Sequence, residues 1–277
     1  MTPSDVRRVR IQPASGWFHL DLREIWAYRD LFLILMLRDV KIRYKQTALG
    51  VIWVILQPLT AALIFAVIFG QFAKLPSQGV PYTLYVFAAM LPWNIFSGAL
   101  QRSGTSLISD SRLISKVYFP RIVIPMASSG AVLIDFAVAF VVGLGLMLAY
   151  GILPTWRLVA VPGLVLLTLL LTLGIGLLVS ALNVYYRDFM YALPFVIQVW
   201  MYASPIAYSS AIVPDSVKAV YALNPLVGII GGFRWALLDV GDFPWTSIAL
   251  SVLVSMAFLV AGVVVFQRIE DSFADVI

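Results

Sequence analysis

R-D-V-K-I-R-Y-K-Q-T-A-L-G-V-I-W-V-I-L-Q-P, residues Arg38 to Pro58, is the stretch whose reading decides the fold. Its first half carries Arg38, Lys41, Arg43 and Lys45. Its second half is apolar, and no charge follows until Lys74. So abrupt a change marks a chain entering a bilayer from the cytoplasm, with its cations left among anionic headgroups. Composition agrees: of 277 residues, 61% are hydrophobic and only 12% charged, against about 25% charged in soluble domains. Lipid is therefore the solvent for most of the chain.

Working back from this stretch, residues 1–20 include Arg7, Arg8 and Arg10 and read as a cytoplasmic tail. From Asp21, the apolar residues Leu22, Ile25, Trp26, Phe32, Leu33 and Met36 recur at helical spacing, with Arg23, Glu24 and Asp30 largely off that stripe. The wholly apolar run Leu31 to Leu37 is only seven residues, whereas about 20 are needed to span. The pattern predicts a helix over 21–45 lying in the membrane interface, with Trp26 and Tyr28 at headgroup depth. Such a helix serves as an anchor alone, or also docks a partner.

Working forward, uncharged intervals place six transmembrane helices near 49–72, 82–101, 122–149, 158–183, 189–210 and 244–266. One interval is different. Ala219 to Phe233 is uncharged but only fifteen residues long, is broken by Asn224-Pro225, and contains Gly228, Gly231 and Gly232. It predicts a re-entrant pair of short helices within 213–240 that dips into the membrane and returns to the same side. The fold class is thus an all-α integral membrane protein with both termini cytoplasmic and one transmembrane domain over 21–277. Fifteen of the 19 Lys and Arg residues then fall in cytoplasmic segments, as the positive-inside rule requires. A seventh span at 219–233 would move Arg268 and the C-terminus outside.

Several chemistries are excluded. There is no cysteine, hence no disulfide, thiol nucleophile or thiolate metal site. No G-x-x-x-x-G-K-[ST] run occurs, nor any Gly-Lys pair, so no phosphate-binding loop is present. His19 is the single histidine, which rules out a histidine metal cluster and leaves Ser128-Ser129-Gly130 without a base. No cofactor or metal is expected in this chain. The net charge of +5 lies beside apolar spans and reflects topology rather than nucleic-acid binding. The first thirty residues lack an apolar core ending in small residues, so insertion is expected to use internal spans rather than a cleaved leader.

Asp135, in the third predicted span, is an ionisable group at lipid depth and must face a partner or a wet cavity. It is either a relay or channel-lining carboxylate, or a structural acid hydrogen-bonded to a neighbouring helix, for instance through Asn183 or a serine. With no second acid and no cation in its span, the structural role is favoured. Tyr44, Trp53, Trp93, Phe96, Tyr185, Tyr186, Trp200 and Tyr202 lie on or beside predicted spans. Each is either an interfacial or packing residue or a channel-lining platform for sugar rings. Between Ser109 and Arg121, Ser and Asp residues can cap a short helix that Pro120 ends. It is a contact for a soluble partner or a solvated connector.

Taken in order, seven motifs resemble one family: Arg38-Asp39 with Arg43-Tyr44-Lys45, Leu49-Gly50, Trp53 and Gln57-Pro58; Leu91-Pro92-Trp93-Asn94-Ile95-Phe96; Lys116-Val117-Tyr118-Phe119-Pro120-Arg121; Asn183 to Asp188; Ser204-Pro205-Ile206 with Tyr208; Asn224-Pro225; and Phe273-Ala274-Asp275. Together they are similar to the permease subunits of type-2 ABC exporters, in the branch that exports O-antigen, capsule and teichoic-acid polysaccharides. The resemblance implies a homodimer in the inner membrane of a bacterium, bound to two copies of a separate ATPase that holds ATP and Mg. It implies contact with that ATPase through the interfacial helix and the loop of residues 104–119, with Arg23, Glu24, Asp110, Arg112, Lys116 and Tyr118 as candidates. The implied cargo is a polyprenyl-pyrophosphate-linked glycan, whose pyrophosphate Arg38, Arg43 or Lys45 would meet. The competing role for these cations is orientation and lipid contact. Asn224, Pro225 and Gly228 would belong to a gate on the outer face. Three further readings remain, one of them a membrane scaffold without transport, which would not need the broken short helices at 219–233. The same fold could export a drug or small lipid. A membrane-embedded transferase would need clustered acids for a metal, but Asp135 is alone in its span and Asp188 has no second acid in register.

Overall fold

The computed structural model describes residues 22–45, 50–114, 116–270 and 273. The tail at 1–20, Leu49, and Ala274-Asp275 lie outside the described residues. Every element of regular structure among them is helical, as the apolar runs predict. The interfacial helix is two helices, α1 (Leu22–Ala27) and α2 (Arg29–Lys45), parted by a turn at Tyr28. Five segments are long and apolar enough to cross a membrane: Ile52–Phe72, Tyr82–Ser109, Val123–Ala149, Trp156–Tyr185 and Trp245–Glu270. They contain α3 (Gly50–Phe65, continued by a π-helical turn Ala66–Phe72), α4 (Tyr82–Ser109), α6 (Val123–Gly130) with α7 (Val132–Ala149), α8 (Val161–Tyr185) and α12 (Trp245–Glu270).

The fifth predicted span is shorter than expected. Helix α9 runs Asp188–Tyr202, 15 residues and so roughly 22 Å, and then gives way to turns before Ser209. Pro205 explains the stop, since it disfavours helical geometry at Ser204 and removes an N–H donor. Short helix α5 (Ser111–Ile114) follows α4. The re-entrant pair is α10 (Asp215–Ala222) and α11 (Pro225–Leu238), bent by 91°.

Contacts sort the loops into two ends. At one end, α2 meets the end of α4 through Arg38 and Asp110 at 2.7 Å, the Asn183 amide donates to Gly104 O at 2.9 Å, and Arg121 N donates to Glu270 at 3.0 Å. At the opposite end, Gln78 donates to Ser209 at 3.4 Å, the Tyr82 hydroxyl donates to Ala207 O, and Arg157 pairs with Asp239 at 2.5 Å. Both Ser209, before α10, and Asp239, after α11, lie at this opposite end. The pair therefore dips in and returns, and α9 completes six crossings.

Two apolar clusters carry the packing. The larger joins α4, α7, α8, α9 and α11 around Phe87, Phe96, Leu171 and Phe233. The smaller, at the α2 end, joins Leu35, Ile114, Phe119, Ile122, Phe266 and Phe273. It explains how α2 departs from the predicted stripe. Leu35 is buried in this cluster and Ile25, Tyr28, Phe32 and Met36 pack against it, while Trp26 and Leu33 are exposed. Helix α2 thus docks on the bundle with one apolar face and turns Leu33, Ile34 and Leu37 outward. Helices α8 and α12 cross almost backbone to backbone: a Cβ on Gly262 would lie 2.2 Å from Gly174 O. Small residues permit such approaches, and dispersion contact rewards them in lipid.

Candidate transport and coupling sites

At the α2 end, the cations of the opening stretch are drawn onto the bundle by carboxylates. Arg38 donates to Asp39 at 2.9 Å and to Asp110 at 2.7 Å. Its hydrogen bond to Asp110, and then that to Asp39, raise the guanidinium pKa above its ordinary value against the opposing effect of burial. Arg43 and the Tyr44 hydroxyl each donate to Asp135, on α7. Burial and then the Asp135 bond push Tyr44 up to about 12. Arg102, on α4, reaches the same carboxylate at 3.6 Å. Asp135 is thus the meeting point of α2, α4 and α7. This corrects the expected partners: Asn183 bonds Gly104 O instead, and the acid is met by two arginines and a tyrosine.

Of the three cations expected to meet a pyrophosphate, Arg38 and Arg43 are engaged by carboxylates, while Lys45 is exposed. Of the candidates for contact with an ATPase, Asp110 turns inward onto Arg38. Arg23, Glu24, Arg112, Lys116 and Tyr118 are exposed. Ile114 and Phe119 are buried and pin the loop that presents Arg112, Lys116 and Tyr118. Phe273 rests on Phe266, with ring centroids 5.4 Å apart, and under the Arg121 guanidinium at 5.8 Å. Two motifs far apart in sequence therefore form one structural unit.

Between α3, α4 and α7 lies a cavity of about 380 Å³. Gln57, Asn94, Gln101, Arg102 and Asp135 supply its polar lining, and Arg43 closes it at the α2 end.

The opposite end is held differently. Asn224 caps α11: its side-chain oxygen accepts from Leu226 N at 3.1 Å and from the Trp200 indole at 3.0 Å. Its amide donates to Ala203 O and Ser204 Oγ, both at 3.1 Å. Pro225 follows as the first helical residue, where its missing N–H costs nothing. Gly228 lies against α12 so closely that a Cβ would sit 2.3 Å from Ser247 O. Arg234 is buried. It donates to Tyr85 O at 3.2 Å, Ile206 O at 2.8 Å and Tyr208 O at 3.4 Å. It also stacks on the Tyr85 ring at 3.5 Å. No carboxylate pairs with it among the described residues.

The aromatics divide. Trp93 and Phe96 are buried in the larger core, and Phe96 meets Trp200 edge-on at 5.0 Å. Trp93 and Phe96 thus pack inside the chain rather than on its surface. Tyr44 is committed to Asp135. Trp53, Tyr185, Tyr186 and Tyr202 are exposed. Sequence reasoning missed Arg102 and Arg234. Arg102 marked the end of a predicted span, but the helix continues to Ser109. Arg234 falls, in the predicted topology, among the four cations on the non-cytoplasmic side. The available signal was a lone arginine directly after a glycine-rich apolar interval and before the apolar run Trp235 to Leu238.

The family model described as ABC-2 type transporter matches residues 30–238. The O-antigen export system permease protein RfbA of Myxococcus xanthus is 31% identical over 259 residues, 92% of this chain and 98% of the relative. A protein of the same name from Klebsiella pneumoniae is 27% identical, over 90% and 95% of the two chains. The polysialic acid transport protein KpsM of Escherichia coli is 22% identical, over 86% and 93%.

Proposed function

We propose a function from one premise: this chain belongs to the ABC-2 type transporter family. It is the membrane-spanning permease of an exporter rather than an enzyme, and its cargo is a polysaccharide carried on a polyprenyl pyrophosphate lipid. The observation that carries this reading is that relatives named for O-antigen export and for polysialic acid transport align over 86% or more of the chain. Two protomers in the inner membrane of a bacterium assemble with two copies of a separate ATPase, which binds ATP and Mg. The α2 end faces the cytoplasm, in line with its excess of cations.

The geometry supports a mechanism. The loop carrying Arg112, Lys116 and Tyr118 projects from buried anchors, as a coupling contact requires. Arg38 ties that loop, through Asp110, to α2. Arg43 and Tyr44 tie α2 to α7 through Asp135. Closure of the ATPase dimer on the loop and on α1 moves α2 and α7 together, and the bundle changes between two arrangements that its partner contacts distinguish. At the opposite end α10 and α11 form the gate.

Deletion of the gene, with analysis of the cell envelope and co-purification of the tagged chain, tests the reading. Lipid-linked glycan accumulating inside, surface polymer lost and an ATPase bound to the tag are the expected results. Unchanged surface polymer with a bound ATPase would move the cargo to a drug or small lipid. No bound ATPase would overturn the exporter itself.

A further inference from the structure

Helix α4 is inside out for a helix in lipid. Between Leu91 and Thr105 its buried positions are mostly apolar, and the positions not buried are Asn94, Ser97, Gly98, Gln101, Arg102 and Thr105. They recur at helical spacing and form one polar stripe along the half of the span nearer α2. A lipid-facing helix shows the reverse pattern, because polar groups at that depth need partners.

The stripe faces the cavity between α3, α4 and α7. Ser97 and Thr105 satisfy themselves on Trp93 O and Gln101 O, at 2.9 and 3.1 Å. The amides of Gln57, Asn94 and Gln101 form no side-chain hydrogen bond to the described residues. Among the described residues, the Arg102 guanidinium makes the 3.6 Å ion pair with Asp135, too long for a hydrogen bond, and donates to no other side chain. Three amides and a guanidinium therefore border about 380 Å³ of space, a volume within the range of small-molecule pockets, about 300–1,000 Å³. With Arg43 at its mouth, two guanidinium groups meet one carboxylate, that of Asp135.

We infer that this cavity receives the junction between diphosphate and first sugar of a prenyl-linked glycan. Arg102 and Arg43 bind diphosphate oxygens, and Gln57, Asn94 and Gln101 bind the hydroxyls of the sugar. Guanidinium groups suit phosphate because their donors match its oxygens in pairs. Amides suit a sugar because each offers two donors and an acceptor to groups that need both. Gln57 and Gln101 are exposed, so the cavity is open beside them and the prenyl tail can remain in lipid. Asp135 holds both arginines in place until the anion takes over part of their hydrogen bonding. This inference rests on the proposed lipid-linked cargo and adds Arg102, Gln57, Asn94 and Gln101 to its site.

The test is binding of two radiolabelled probes, farnesyl diphosphate and farnesyl-diphosphate-linked N-acetylglucosamine. The protein is the complex with its ATPase subunit in phosphatidylcholine nanodiscs. Arg102→Gln should weaken both probes by about tenfold or more, as loss of a charged hydrogen bond predicts. Arg102→Lys, which keeps the ion pair, should lose less. Asn94→Leu and Gln57→Leu disturb no existing hydrogen bond. They should weaken only the sugar-bearing probe, by about three- to tenfold. Equal binding of both probes by the unmodified complex and all variants would overturn the cavity assignment and leave polysaccharide export standing. Competition by phosphatidylglycerol as effective as unlabelled prenyl diphosphate would overturn it in favour of a phospholipid headgroup site. Failure of the unmodified complex to bind either probe would remove the lipid-linked cargo itself, and the cavity assignment with it.

Discussion

The two ends of this molecule are held by different physics. At the α2 end, separate helices are joined by charged side chains: Arg38 to Asp110, and Arg43 and Arg102 to Asp135. At the opposite end, the re-entrant pair is held by backbone carbonyls around one buried arginine, by the fully used Asn224 amide, and by the close contact of Gly228 with α12. Ion pairs between flexible side chains can lengthen, exchange partners and re-form as helices shift. A guanidinium enclosed by three carbonyls cannot move without stranding them. The α2 end can thus shift by exchanging partners, whereas the opposite end moves as one piece or not at all.

The largest effects should come from the tightly packed end. Gly228→Val places side-chain atoms where Ser247 O already is, and backbone cannot retreat as a flexible side chain does. Overpacking of this kind costs about 1–3 kcal/mol and sometimes more. The purified protein should lose its monodisperse peak in size-exclusion chromatography, or its thermal midpoint should fall by several degrees. A variant as stable as the unmodified chain would show that α11 and α12 separate easily. Arg234→Met should be next. It leaves Tyr85 O, Ile206 O and Tyr208 O without this donor, and each unsatisfied buried group costs about 1–3 kcal/mol. Arg234→Lys keeps a charge but not the fork, and should recover only part of the thermal midpoint.

The charged end should respond in the opposite way, by tolerating exchange. Arg38→Asp and Asp110→Arg should each uncouple ATP hydrolysis from export while costing little stability, since both side chains are partly exposed. The double variant should restore much of the coupling, read as polymer exported per ATP hydrolysed. An equally inactive double variant would show that position rather than charge matters at these two sites. The contrast with Arg234, which has no acidic partner to exchange with, would then disappear.

How much was legible in the sequence follows the same division. Helical crossings are set by long apolar runs, so the five long spans and the interrupted interval at 219–233 could be read directly. Asn224-Pro225 reads as the break between two short helices, and the structure places it there, with Asn224 as the cap and Pro225 as the first residue of α11. The end of α9 was harder, since Pro205 lies within the uncharged run that set the predicted span at 189–210. Least legible were pairings between distant residues. Nothing near Asp135 in sequence names Arg43, Tyr44 or Arg102 as partners, which come from positions 92, 91 and 33 residues away. Hydropathy also treats any arginine as a boundary, which hid the polar stripe of α4 and the buried Arg234.

The smallest effect on stability should fall on the segment from α5 to the start of α6, and there the comparison becomes sharpest. Arg112 and Tyr118 are exposed, and the loop is fixed by Ile114 and Phe119 instead. Arg112→Ala with Tyr118→Ala should therefore change stability by no more than about 0.5 kcal/mol, as surface substitutions usually do. If the loop is the contact for an ATPase, the same pair should still reduce the amount of ATPase recovered with the tagged chain. Tyr and Arg carry disproportionate binding energy when they enter a partner's pocket. Phe119→Ala should do the reverse first, lowering the thermal midpoint through a cavity in the smaller core, and reduce ATPase recovery only as a consequence. Loss of partner without loss of stability in the double variant, and loss of stability in Phe119→Ala, would separate the surface that is pushed from the anchor that passes the push to α2. If ATPase recovery stays full in the double variant, the contact lies instead on α1, where Arg23 and Glu24 are exposed. Force would then enter the bundle through α2 directly.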